Sequence, residues 1–254
     1  MVGRKGIAIM TGTLYGVGVG PGDPELLTLK ALRLIRRAPV IAWPAPETGE
    51  SFARSIVVEH LRADQVEIPI RVPMRADRFP AREVYDQAAT KISGHLVAGR
   101  DVVALCEGDP FFYGSFMYLF ERIASRFPVE IVPGVSSLTA AAAALCRPLA
   151  GRNDVLTVIP APLENDRIRQ LLASSEAVAI IKVGRHFVRI QALLAEAGLL
   201  EQAMLAERIG RANQRLLRLS DPGIGEAPYF SVILVYKGAE AWICELPLAA
   251  GAPA

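Results

Sequence analysis

Two rhythms of apolar residues alternate along this chain. Short apolar runs are separated by longer stretches in which apolar positions recur every three or four residues, which predicts strand, turn and helix in repeated order. In the first half, "TLYGVGVG" (13–20), "PVIAW" (39–43), "QVEIPI" (65–70), "DVVALCEGDP" (101–110) and "VEIVPGV" (129–135) read as strands. A helix is expected over "DPELLTLKALRLIRRA", with Asp23 as N-cap and Pro24 at the first helical position, where its missing N–H costs nothing. Leu26, Leu29, Leu32 and Ile35 would line its buried face. Further helices are expected over 51–61, over "REVYDQAATKISGHLVAGR" ending at Gly99, and over "FFYGSFMYLFERIASR". This order predicts an α/β fold with a parallel N-terminal sheet covered by helices.

The second half is patterned differently. "SSLTAAAAAL", residues 164–174 and "HFVRIQALLAEAGL" read as helices. "DVLTVIP", "AVAIIKVG", a part of "QAMLAERI" and the long "YFSVILVYKG" read as strands. The joint is expected at "VPGVSS", giving an N-terminal α/β domain over 11–133 and a C-terminal one over 134–246. The last residues, "LPLAAGAPA", read as a frayed tail.

Two glycine-rich turns follow strands and precede helices. "LYGVGVGPGDPE" (14–25) has the parts of a dinucleotide loop but fails its fingerprint. Counted from Gly16 the last required glycine falls on Pro21, and counted from Gly18 it falls on Asp23. The acid at the helix mouth would repel a pyrophosphate, and Trp43 stands where a ribose-binding acid belongs. Gly20 and Gly22 instead permit close main-chain approach, with Pro21 stiffening the tip. In the second turn, "CEGDPFFYG", Glu107 and Asp109 add negative charge beside glycine-freed backbone. That favours a ligand with a cationic centre and an amino group, such as a sulfonium amino acid, over a phosphate. Asp109 could equally be an N-cap ahead of Pro110, and Ser136 and Ser137 could cap a helix or donate to a ligand.

Bulk properties narrow the options. The 254 residues are 52% hydrophobic and 21% charged, which is globular, and the net charge of +2 argues against bulk nucleic-acid binding. The scattered Cys106, Cys146 and Cys244 and the scattered histidines show no metal-ligand spacing, so no metal site is expected. "MVGRKGIAIMTGT" has too short an apolar run for a signal peptide, and Met10 could be an alternative start. No apolar run reaches the roughly 18 residues of a membrane span. The expectation is a cytoplasmic protein without a membrane partner.

At this point four segments carry a resemblance. "GVGVGPGDPELLTLKA", "LCEGDPFFYGSFMYLF", "VEIVPGVSSLTAAAAAL" and "KVGRH" resemble, in order, the tetrapyrrole (corrin/porphyrin) methylase family, across about residues 12–240. "EGDPFFYGSFMYL" and "RPLAGRND" resemble most the branch that methylates C20 of precorrin-2 in cobalamin synthesis. The resemblance implies S-adenosylmethionine as methyl donor, S-adenosylhomocysteine as product, and a homodimer. It implies a two-domain fold with a parallel N-terminal and a mixed C-terminal sheet and the active site in the cleft between them. Alternatives within it are the cobalt-containing substrate or another corrin carbon. By position, Pro21, Glu107, Gly108, Asp109, Phe112, Ser136, Ser137, Val183 and Ile209 match donor-contacting places. Relatives often read glycine-glycine-aspartate where this chain has Glu107-Gly108-Asp109, and many have methionine at Val183.

A tetrapyrrole carries several carboxylates and needs cations. "PIRVPMRADRFPAR" offers Arg71, Arg75, Arg78 and Arg82, expected on a loop because Pro73 and Pro80 interrupt a helix. Arg147, Arg152 and Arg185 are lesser candidates. No catalytic dyad or triad is visible, Asp109 being the nearest to a catalytic candidate. The electron-rich ring supplies its own nucleophile, so catalysis is expected to rest on positioning.

Overall fold

A computed structural model describes residues 11–72, 78–240 and 242–245. The chain divides into two units, with the division between Val135 and Ser136.

The first unit is built on five strands: β1 (Leu14–Gly18), β2 (Val40–Pro46), β3 (Val66–Val72), β4 (Val102–Cys106) and β5 (Val129–Val132). All neighbours pair in parallel, in the order β3-β2-β4-β1-β5. β4 is apolar at every position because both of its faces are covered. On one face Val102, Ala104 and Cys106 pack with Ile92 and Leu96 of α3 (Arg78–Val97) and with Leu119 and Ile123 of α4 (Met117–Ile123). On the other, Val103 and Leu105 pack with Ala31 and Ile35 of α1 (Leu29–Arg37) and with Ala53 and Ile56 of α2 (Phe52–Val57).

Several expectations need correction. The helix expected from Asp23 is two pieces. Asp23 caps a single 3-10 turn, Pro24–Leu26, and α1 restarts at Leu29 with Thr28 as its own N-cap, accepting from the Ala31 N–H at 3.1 Å. The break at Leu27–Thr28 rotates the face, so Leu29 is 86% exposed while Ala31 and Ile35 are buried. β2 continues through Pro44 and Pro46, because β4 pairs with it only as far as Ala42 and the missing N–H groups face no partner there. The arginine segment is not wholly a loop. Arg78–Arg82 belong to α3, and Pro80 sits in its first turn, where the N–H has no intrahelical acceptor to lose. Residues 111–116 are turns rather than helix, and α4 begins only at Met117.

The second unit has the mixed sheet β6-β7-β10-β8-β9. β6 (Leu156–Pro160) and β7 (Ala177–Ile181) are parallel, while β10 (Ser231–Tyr236) runs antiparallel to β7 and to β8 (Ala203–Glu207). β9 (Arg215–Arg218) adds an edge that the sequence pattern did not predict, since its exposed Arg215 and half-buried neighbours carry little apolar signal. α5 (Ser137–Ala144) packs on β10. α6 (Asn165–Ser174) and α7 (Phe187–Glu196) cover the face of Ile159, Val178, Ile180, Leu205 and Ile233. A short α8 (Trp242–Glu245) follows. Among the described residues, no helix is long and apolar enough to cross a membrane.

Candidate active site

β1 and β4 are neighbours, yet the helices that follow them lie on opposite faces of the sheet. Strands whose connections part in this way open a crevice at their carboxyl ends. The two glycine turns form its rim and hold each other. Gly108 N–H donates to the Gly20 carbonyl at 2.8 Å, and Gly20 N–H donates to the Gly108 carbonyl at 3.3 Å. Two parallel strands thus end in a short antiparallel bridge. Gly20 at φ 79° and Gly108 at φ 63° make that reversal, which a side chain would strain. The turn after β5 joins them. A Cβ on Gly18 would lie 2.5 Å from the Gly108 oxygen and 2.6 Å from the Gly134 nitrogen, and a Cβ on Gly134 would run into the same Gly108 carbonyl.

Asp109 ties this assembly. Its Oδ1 accepts from Phe111 N–H at 2.9 Å and Phe112 N–H at 3.1 Å, and its Oδ2 accepts from Gly134 N–H at 3.0 Å. Both oxygens of the nearest catalytic candidate are therefore engaged by backbone, which makes Asp109 a clamp between two turns. The loop it organises is tight. Tyr113 is held at φ 57°, and a Cβ on Gly114 would meet the Asp109 and Pro110 carbonyl oxygens at 2.6 Å. Phe112, 39% exposed, stacks edge-on against the exposed Tyr113 at 5.2 Å. Pro21 is buried within the first turn.

Glu107 sits at the crevice itself. Val103 and Leu105 point to the α1/α2 face, and Glu107 follows their alternation to meet the Ala53 N–H in the first turn of α2. Burial pushes its carboxyl above the ordinary range, opposed by its own N–H and that of Ala53. Cys106 faces the other way. Burial, with Glu107 nearby, pushes its thiol up to about 12, so it stays protonated and inert at neutral pH.

Of the arginines proposed for substrate, Arg71 is exposed on β3 and its Nη1 donates to the carbonyls of Pro46 and Glu47 at 3.2 and 3.4 Å. It borders a groove of about 450 Å³ floored by Trp43 and Pro69, with Arg54 paired to Glu67 at 2.9 Å. Arg75 lies outside the described residues, and Arg78 is described only as the first residue of α3.

In the second unit, Ser136 caps α5, its Oγ accepting from Thr139 N–H at 3.4 Å, and Ser137 opens the helix. Val183 and Ile209 follow β7 and β8, which flank β10, so both stand at the same sheet edge. Both side chains are buried, Val183 is packed with Phe187 and Ile190, and the Val183 carbonyl accepts from His186 N–H at 2.7 Å. The residues before them, Lys182 at φ 58° and Arg208 at φ 49°, hold the left-handed conformation that β-strand ends seldom impose on long side chains.

The family model described as Tetrapyrrole (Corrin/Porphyrin) Methylases matches residues 13–221, which spans every element from β1 to β9. The chain belongs to the tetrapyrrole methylase family. It is 39% identical over 232 residues to the precorrin-2 C(20)-methyltransferase of a Sinorhizobium species, covering 88% of this chain and 95% of that one. It is 36% identical over 232 residues to the cobalt-precorrin-2 C(20)-methyltransferase of Salmonella typhimurium, covering 90% and 98%. Among solved structures, the uroporphyrin-III C-methyltransferase of Thermus thermophilus complexed with S-adenosylhomocysteine superposes with a TM-score of 0.66 at 25% identity, over 89% of this chain and 92% of that one.

Within this tetrapyrrole methylase, the structure gathers Gly108, Asp109, Phe112 and Pro21 on the two interlocked turns of the first unit. It places Ser136, Ser137, Val183 and Ile209 in the second. The sequence reading missed Gly134 and Gly18, whose lack of a side chain lets three turns meet, and Tyr113. The signals were present in "VPGV" and "FFYG", but only the paired backbone gives them meaning.

Proposed function

We propose that this chain transfers the methyl group of S-adenosylmethionine to C20 of precorrin-2, giving precorrin-3A in cobalamin synthesis. The observation that carries the reading is the crevice at the β1/β4 switch point, where interlocked glycine turns stand beside Glu107 and the exposed rings of Phe112 and Tyr113. Its chemistry fits the donor. Aromatic faces suit a sulfonium cation, and the glycine and Glu107 backbone of the two turns allows close contact. The donor supplies an electrophilic methyl. The residues of the chain bind and orient: Gly108 and Gly20 fix the rim, Asp109 holds the loop of Phe112 in place, and Pro21 limits the freedom of the first turn. In this reading Ser136, Ser137, the Val183 backbone and Ile209 also contact the donor, and Arg71, Arg75 and Arg78 take ring carboxylates. Placing the ring carbon in line with the methyl then supplies much of the rate, as intramolecular alignment does.

A second reading, methylation of the cobalt-containing ring, is favoured by the Salmonella relative of nearly equal identity. We further infer a homodimer, as the resemblance implies, which light scattering tests. The deciding experiment incubates the protein and S-adenosylmethionine with precorrin-2 and with cobalt-precorrin-2 in parallel. A gain of one methyl, mapped to C20 by NMR, is the expected result, and a methyl on any other carbon would refute the C20 assignment. Faster turnover of the cobalt form would favour the second reading.

A further inference from the structure

Methylation at a meso carbon has a requirement that methylation of a fully substituted ring carbon lacks. The carbon already carries a hydrogen. When its electron pair forms the new C–CH3 bond, the S–CH3 bond breaks and its pair returns to sulfur. The carbon then bears both hydrogen and methyl, with a positive charge spread over the ring. Restoring conjugation requires the C–H bond to break, its electron pair returning to the ring and its proton going to a base. We propose that Glu107 is that base, its carboxylate accepting the C20 proton to become a carboxylic acid.

This inference rests on the C20 reading and deepens it. Position is the first argument. Glu107 directly follows the central strand β4, one residue before the Gly20–Gly108 bridge, on the rim of the switch-point crevice. Spare capacity is the second. The other acid of the same turn, Asp109, is engaged by the N–H groups of Phe111, Phe112 and Gly134, and Asp23 in the facing turn caps Glu25 N–H at 2.8 Å. Glu107 is partly buried and takes backbone N–H bonds from its own residue and from Ala53, and no ion pair to it is present among the described residues. A carboxyl held above its ordinary range by burial is also a better proton acceptor than a solvated one.

The test uses the full-length enzyme with precorrin-2 carrying hydrogen or deuterium at C20. Glu107→Gln is expected to bind S-adenosylmethionine in calorimetry as the parent does, to lose about 100-fold or more in kcat, and to acquire a primary deuterium isotope effect. Glu107→Gly removes the carboxyl and leaves room for a small acid in its place; formate or acetate should restore part of its turnover. Near-parental turnover of Glu107→Gln would overturn the proposal. So would a slow variant with neither isotope effect nor rescue, which would mark a structural role, and so would a loss of donor binding that matches the loss of rate, which would mark a donor anchor. If the parent enzyme methylates a carbon other than C20, the C20 reading itself falls and takes this inference with it. C20 methylation by the parent with any of the preceding three results refutes Glu107 alone.

Discussion

At the scale of single residues, the first unit depends on atoms that are missing. Gly134 has no room for a methyl group: its Cβ would enter the Gly108 carbonyl and lie 2.8 Å from the Gly18 Cα, all backbone that cannot step aside. Gly134→Ala is therefore expected to destabilise the protein by about 1–3 kcal/mol or to prevent folding, read as a lowered unfolding midpoint in urea. Gly94 is the opposite case. It lies exposed in α3 with nothing within 4 Å of its would-be Cβ. Gly94→Ala should raise stability by about 0.5–1 kcal/mol through helix propensity, and a destabilised Gly94→Ala would contradict the open surroundings described. The sequence announced glycines at both places equally; the difference between them is made by segments more than twenty residues away in the chain.

At the scale of elements, a polar knot in the second unit ties the last strand to the segment before β6. The Tyr236 hydroxyl at the end of β10 donates to Asp154 Oδ2 at 2.6 Å, and the same oxygen accepts from Gly151 N–H at 3.0 Å. The Glu240 N–H donates to the Tyr236 oxygen at 3.2 Å. These bonds pin the segment "RPLAGRND", which precedes β6, to the last strand. The Tyr236 hydroxyl first, and then Gly151 N–H, hold the Asp154 carboxyl below its ordinary range. A carboxyl whose folded value is depressed stabilises the fold above its unfolded value, near 3.9, and loses that contribution as pH falls through the folded one. Tyr236→Phe should accordingly lower the melting midpoint by a few degrees at neutral pH, with the gap to the parent shrinking as the pH is taken below about 4. Thermal melts across that range check it, and a gap that stays constant down to pH 2 would show that the knot does not act through the Asp154 charge. Elements themselves were largely legible, because β4 and β7 are unbroken apolar runs and α7 repeats its apolar positions every three or four residues. β9 and the split of α1 were not. A short edge strand has few apolar positions to reveal it, and the capping Thr28 competes with a continuous helical pattern of which Leu29 is part.

At the scale of the whole molecule, the proposed donor should act as a stabiliser. A ligand that binds the folded state alone adds about 2.7 kcal/mol at a hundred times its Kd, which for a chain of this size raises the melting midpoint by about 5–10 °C. S-adenosylmethionine and S-adenosylhomocysteine should both do so, while NAD should not, since the loop fails the dinucleotide fingerprint in register and charge. Stabilisation by NAD with none from S-adenosylmethionine would reverse the assignment made for the two glycine turns.

The sequence by itself determined the class of fold, the strand-to-helix order of the first unit and the rejection of a phosphate cradle. These follow from period, capping and charge, all of which act between residues close in the chain. It also carried the family likeness. Tertiary structure alone decided what the acids and glycines of the turns do. Asp109, one of two acids in its turn, became a clamp because Gly134, brought from β5, offers it an N–H. Glu107, two residues earlier, kept accepting capacity because α2 meets it with backbone rather than with a charged side chain. The physical reason is that a side chain's hydrogen-bonding partners, and so its chemistry, are set by whichever strands the sheet order makes neighbours, and β4 meets β1 and β2 only in the folded chain.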